Sequence, residues 1–383
     1  MRRGLPGVLV LLTLTAGRAA AADPPITPDL PYQARKSDPV TYEVDFSVVI
    51  TAPYHTKILK VWLPLPQTDA GQEVTEGEIT TFPPKVNPKI AQEPVFGNKF
   101  AYFEFDHPEG GLIVRHTFTI KVWELNWDVN ADKVTPVEKW PKEFDRYLRA
   151  EQQAVVVNDQ IRDLAKQIAR DRPDSGRDLS LVMDWVAQHL KYDHDQASLQ
   201  ASAEHALKFK QGHCSDYHGL CAALGRALGY PTRVTYGLNT FPKNSPSHCK
   251  LEAFLPPYGW VSFDVSETQR LVAEIKKEVT LDTRKKDELV RTALARLRRG
   301  FRDNTWFVQT RGTDYDLVPP ASKRVPVVRT LYAEADGIAL PDPDPANTAK
   351  REFAWMTVQK FTPDRAVTYP FKGWKSLESN KSK

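Results

Sequence analysis

Cysteine is scarce in this chain: Cys214, Cys221 and Cys249 are the only three in 383 residues. That is too few for a fold held by a disulfide framework, and an odd number leaves at least one thiol unpaired within the chain. Long apolar runs are missing too. The stretch from about Val8 to Leu14 falls far short of the ~20 residues that cross a bilayer, and no later segment reaches that length, so no membrane span is expected. One-sided charge is also absent. The formal net charge is +4, and Arg2, Arg3 and Arg18 lie in a segment expected to be removed, which leaves +1. No field for nucleic acid or anionic lipid follows from that balance.

The segment in question, "MRRGLPGVLVLLTLTAGRAAAADPP", has a basic start, a short apolar run, and Ala20 and Ala22 in A-x-A spacing before Asp23. It reads as a secretory signal peptide over residues 1–22, and the mature protein is expected to be exported, periplasmic or secreted. No cysteine lies near the cleavage site, so a lipid anchor there is not expected.

The remaining ~360 residues suggest two or three domains. "VTYEVDFSVVI", "ILKVWLPLP", "FGNKFAYFEF" and "LIVRHTFTIKVWELNW" alternate, with Pro and Gly between them, and predict a β-sandwich over about 35–130. Helical periodicity follows. Asn158 caps a stripe of Ile161, Leu164, Ala165 and Ile168, and Leu179, Val182, Met183, Val186 and Leu190 make a second. A separate domain is expected over 131–300. The stretch "TRKKDELVRTALARLRRGFRDN" predicts a solvated helix within it. A β-rich region is expected over 301–373 and a flexible tail over 374–383.

In "KFKQGHCSDYHGLCAALGRALGYPTR", Tyr217, Leu220, Cys221, Leu224 and Leu228 recur at helical steps. Gly212 precedes the helix, and Gly229 and Pro231 stop it. Cys214 thus falls in the first turn, where unpaired N–H groups and the helix dipole favour thiolate. In "SHCKLEAFLPPYGWVSFDVSE" two alternating strands flank a reversal. His248, Lys250, Glu252 and Phe254 share a face, and Cys249, Leu251, Ala253 and Leu255 form the core side. Trp260, Ser262 and Asp264 share a face of the second strand. With Phe254 opposite Tyr258, His248 would lie opposite Asp264. A two-residue change of register would make that pair diagonal on the same face.

A cysteine at a helix start, a histidine on one strand and an aspartate on the next constitute a nucleophile, base and orienter. Helix-start N–H groups could hold an oxyanion, and Gln211 is a candidate for the side chain completing that hole. Trp260 either walls the site or packs in the core. Lys250 and Glu252 read equally as pocket residues or as a salt bridge at its rim. Cys221 and Cys249 read as core residues. His213, Cys214, His218 and His248 could be recast as zinc ligands, but their spacing matches no common pattern. No metal and no cofactor are expected.

The G-x-C helix start, "ALGRALGYPTR", the H-x-x-x-E strand and the G-W-x-x-x-D strand together resemble the transglutaminase-like superfamily of papain-like cysteine enzymes. The resemblance covers about residues 150–268, and "VWLPLP" and the preceding β-region are similar to the N-terminal part of bacterial members. It implies an α+β core in which a Cys-bearing helix packs on an antiparallel sheet. By motif position it puts Cys214, His248 and Asp264 on the family's catalytic triad. It also implies a protein, peptide or other amide substrate, processed through a thioester by hydrolysis or by amine transfer. "HCKLE" and His218 depart from the usual small-residue pattern, which bears on specificity. The reading from a different class is a binding or scaffolding protein that keeps the fold without the chemistry.

Overall fold

The protein's computed structural model describes residues 25–169, 177–241, 246–342 and 355–378. The expected signal peptide lies outside the described residues.

Alternation becomes sheet in the N-terminal third. Seven strands follow one another: β1 (Arg35–Thr51), β2 (Ile58–Leu65), β3 (Gln72–Thr75), β4 (Ile79–Phe82), β5 (Lys89–Gln92), β6 (Lys99–Asp106) and β7 (Gly111–Asn126). In β1, Val40, Tyr42, Val44, Phe46, Val48 and Ile50 are buried at every second position. This is the period of a strand with one face on a core. β1 pairs antiparallel with β7, which also carries β3 and β4, whereas β2, β6 and β5 form a second sheet. The two close on one apolar core, as a sandwich does.

Next come α1 (Asp145–Leu148), α2 (Asp159–Ala169), α3 (Arg177–His189), the short strand β8 (Lys191–Tyr192), α4 (Ala203–Phe209), β9 (Gln211–Gly212) and α5 (Cys214–Ala227). Asn158 Oδ1 accepts the Ile161 N–H at 3.0 Å, capping α2. In α5, every residue from Cys214 to Arg226 is buried, more than the one face its periodicity indicated. Gly219, Ala222, Ala223 and Gly225 explain the difference: small residues let neighbours close on the side away from the large stripe.

β10 (Thr232–Asn239), β11 (Ser247–Leu255) and β12 (Gly259–Phe263) follow, then α6 (Val265–Lys277) and α7 (Thr283–Arg299). The chain ends through β13 (Phe301–Arg302), β14 (Trp306–Arg311), β15 (Tyr332–Ala335), β16 (Ile338–Ala339) and β17 (Trp355–Pro363). An antiparallel sheet runs β12-β11-β10-β14, with α5 against it. The C-terminal strands are shared out: β13 pairs with β7, β15 with β2 and β17 with β1. The charged helix α7 is not solvated all round, since Leu289 and Ala293 pack on Leu271 and Ile275 of α6. Beyond β17, Trp374–Leu377 forms a 3-10 turn whose Leu377 is buried in the same cluster, so this part of the expected loose tail is docked.

The β11–β12 hairpin closes two residues later than the first expectation. Leu255 pairs with Gly259 and Phe254 with Trp260, not with Tyr258. Gly259 explains the offset, because its φ of +66° is a left-handed conformation that glycine takes without strain, and it ends the turn. Parity is kept, so every side chain stays on its expected face.

Candidate active site

Cys214 opens α5 under tight local control. The Asp216 carboxylate accepts the His213 N–H at 3.1 Å and also the Ser198 N–H at 3.1 Å. Gly212 makes the approach possible: its φ is +153°, and a Cβ there would stand 2.4 Å from Asp216 Oδ2. The Cys214 side chain is therefore held at the helix N-terminus, 6 % exposed.

His248 and Asp264 meet across the hairpin, with His248 Nε2 2.7 Å from Asp264 Oδ2. With the observed register, Lys250 is the residue that falls opposite Asp264, one step beyond the last pair, and His248 is diagonal to it. Lys250 Nζ also lies 2.7 Å from Oδ2. The other oxygen, Oδ1, accepts the Glu267 N–H at 3.1 Å, so Asp264 also caps α6. With Nε2 occupied by the carboxylate, the second ring nitrogen, Nδ1, is buried and makes no hydrogen bond of normal geometry.

The electrostatics favour a charged Cys214–His248 pair. A hydrogen bond from the Cys249 thiol holds Cys214 well below the usual thiol range. Burial opposes this, and the His213 and His248 rings reinforce it. Burial also works against charge on His248, but the Asp264 and Cys214 charges outweigh it and push the imidazole up to about 9. Asp264 is likewise penalised by burial, yet Lys250 and His248 keep it well below the ordinary carboxylate value.

His218 and Cys249 form a layer that sequence reasoning did not foresee, having read Cys249 as a core residue and His218 as a departure from the usual small-residue pattern. The Val265 N–H donates to His218 Nε2 at 3.1 Å. Burial lowers His218 to about 4, so near neutrality the ring is uncharged and its proton sits on Nδ1. Nδ1 is 3.5 Å from Cys249 Sγ, which accepts from it and leaves the S–H to point at Cys214. The departures His218 and "HCKLE" were the only signals of this layer. Arg329 gave no local signal at all: it arrives from the C-terminal region and donates to His213 Nε2 at 3.0 Å.

The other candidates are placed as follows. Gln211 lies in β9, three residues before Cys214, its backbone paired with Lys191. Trp260 packs in a separate aromatic cluster with Phe144, Tyr147 and Phe254, and its indole N–H donates to the Pro28 carbonyl at 2.9 Å. Lys250 and Glu252 do not form a rim salt bridge with each other. Both are fully buried, Glu252 with Arg233 Nη2 at 2.7 Å and with the Tyr32 hydroxyl at 2.7 Å. Their strand face is covered on both sides of the sheet, which local alternation could not foretell. Cys221, within α5, lies in the core, and burial pushes its thiol up. Among the described residues no helix is long and apolar enough to cross a membrane, and no group of three or more His, Cys, Asp and Glu side chains is arranged to hold a metal ion.

Residues 162–265, which span α5 and both strands of the hairpin, match the transglutaminase-like superfamily. Over 335 residues the chain is 22% identical to an uncharacterised protein of Haemophilus influenzae, covering 78% of this chain and 85% of that one. A candidate cysteine protease from Cytophaga hutchinsonii shares its fold with a TM-score of 0.59 at 13% identity, over 90% of this chain and 97% of that one. The periplasmic domain of TgpA from Pseudomonas aeruginosa gives a TM-score of 0.32 at 14% identity, over 62% and 91% of the two chains. The core formed by residues 162–265 is thus similar to the transglutaminase-like superfamily, a group of generally cysteine-based enzymes.

Proposed function

We propose that the protein is an exported cysteine hydrolase that cleaves amide or peptide bonds, with Cys214 as nucleophile, His248 as base and Asp264 as orienter. The observation that carries this reading is the division of the His248 ring. Nε2 is tied to Asp264 at 2.7 Å, and Nδ1, which makes no hydrogen bond of normal geometry, is the nitrogen left for the Cys214 thiol, which interacts with the ring and is held below its usual range. A base that orients through one nitrogen and exchanges protons through the other is what thiol activation requires.

The steps follow from that geometry. His248 takes the Cys214 proton, and the thiolate attacks the carbonyl carbon of the amide, forming the C–S bond. N–H groups at the start of α5 stabilise the oxyanion, with Gln211 as the candidate side chain beside them. As the intermediate collapses the C–N bond breaks, and the imidazolium gives its proton to the departing amine. Water then loses a proton to His248 and attacks the thioester, and the acid leaves as Cys214 is regenerated. An amine in place of water would give transfer. Hydrolysis is favoured for an exported protein because water is always at hand.

Incubation with a peptide library, with and without a primary amine, tests the reading. New carboxyl termini that disappear in Cys214→Ala support hydrolysis. Amine-linked products would move the assignment to transfer. No turnover by a protein whose Cys214 also fails to alkylate would favour a scaffold.

A further inference from the structure

Behind His248 the buried polar chain continues. Lys250 is 1% exposed, and its Nζ sits between Asp264 Oδ2 at 2.7 Å and Asp303 Oδ1 at 2.9 Å. The rings of Trp306 and Phe371 flank the ammonium at 5.1 and 4.9 Å. Asp303, 3% exposed, is itself held by the Thr305 hydroxyl. Burying an ammonium and two carboxylates is costly, and a well-packed apolar trio would serve stability as well or better. The telling detail is that Lys250 contacts the same oxygen, Oδ2, that receives His248 Nε2. Its charge therefore acts directly on the atom that orients the ring.

We propose that Lys250 and Asp303 are positioning residues of this site, extending Cys214, His248 and Asp264 into a buried chain of alternating charge. The inference rests on the reading of those three residues as the reacting set. In the order Asp303, Lys250, Asp264, His248, Cys214 the signs run minus, plus, minus, plus, minus. Lys250 keeps Asp264 ionised and aimed. Asp303 offsets the lysine, so that the lysine does not cancel the field in which the imidazolium forms. Burial opposes every one of these charges, and the neighbours win: Lys250 is pushed up to about 12 and Asp303 is held low.

The groups facing His248 are Asp264, Lys250, Cys214 and the neutral His218. Across the small cavity behind the ring, Glu267 is paired with Lys372 at 2.7 Å. From α7, Arg296 is close enough to feel both Asp303 and Asp264. Of these groups only Lys250 is replaced in the variants below; Asp264, Cys214, His218, Glu267, Lys372 and Arg296 stay as they are.

The test is a histidine NMR titration of the full chain, with His248 assigned by its loss in His248→Gln. Asp303→Asn leaves the lysine charge uncompensated, and the His248 midpoint should fall by about one pH unit. Lys250→Met should raise it, Lys250→Arg should leave it near wild type, and the double variant Lys250→Met/Asp303→Asn should return it towards wild type. A pair with a merely structural role would move both single variants in the same direction or neither, and that result overturns the proposal. If Lys250→Met does not fold, Asp303→Asn beside Lys250→Arg decides, and an unmoved midpoint in Asp303→Asn sinks the idea. Failure of the underlying reading would look different: Cys214 of the wild-type protein would not alkylate.

Discussion

His248 and Asp264 are sixteen residues apart in the chain and joined by a 2.7 Å contact from Nε2 to Oδ2, although they are diagonal and not directly opposed in the hairpin. The contact sets the ring's tautomer: with the proton of Nε2 directed at the carboxylate, Nδ1 is the nitrogen that can accept.

A first prediction follows from that division of labour. On the proposed roles, removing the His248 ring would remove the base, whereas Asp264→Asn would only weaken its orientation and its charge. Alkylation rates of Cys214 at neutral pH should fall in the order wild type, Asp264→Asn, His248→Ala. Finding the two variants in the opposite order would make Asp264 the group that controls the thiol.

The three thiols should separate sharply. An ordinary cysteine near 8.5 is only about 1% thiolate at pH 6.5, and a lowered value raises that reactive share. Cys214 is held low, while burial raises Cys221 and, together with the Cys214 charge, Cys249. Iodoacetamide in the folded protein should therefore modify Cys214 at least roughly tenfold faster than the other two. Peptide mass mapping assigns the sites, and equal labelling would count against the reading.

Much of this site is legible in the sequence, and the reason is local period. The α5 stripe placed Cys214 in its first turn, and alternation placed His248, Lys250 and Asp264 on shared faces whatever the register. What local period cannot supply is the partner that arrives from far along the chain. Asp303 reaches Lys250 from 53 residues away, and Arg329 reaches His213 from 116. The same limit hid the burial of Lys250 and Glu252, since alternation marks a polar face but not what covers it. The stripe of α7 was masked in another way: Leu289 and Ala293 are few among many charges, and propensity for a surface helix looked sufficient.

Stability should carry the signature of the His248 charge. Its folded value near 9 lies above the unfolded ~6.5, so its contribution is complete below about pH 6.5 and is lost as pH rises through 9. The displacement corresponds to about 3 kcal/mol as an order of magnitude. Thermal melts between pH 6.5 and 9.5 should show wild type losing stability faster than His248→Gln. Parallel curves for the two proteins would mean that the ring is not charged in the folded state.

Gly212→Ala probes the frame around Cys214. A methyl at that position would drive into Asp216 and adopt a backbone conformation that L side chains rarely take. The expected cost is about 1–3 kcal/mol, with slower alkylation of Cys214 because the Asp216 clamp on His213 is displaced. Unchanged stability and reactivity would show that the clamp does not set the position of the thiol.

The most direct test of the central claim is intact-protein and peptide mass spectrometry after incubation at pH 7 with a peptide-amide electrophile that traps a nucleophilic thiol. The account predicts one adduct on the wild-type protein, located on Cys214, and strongly reduced adduct formation in His248→Ala. An adduct on Cys249, or equal labelling of Cys214 with and without His248, would contradict it.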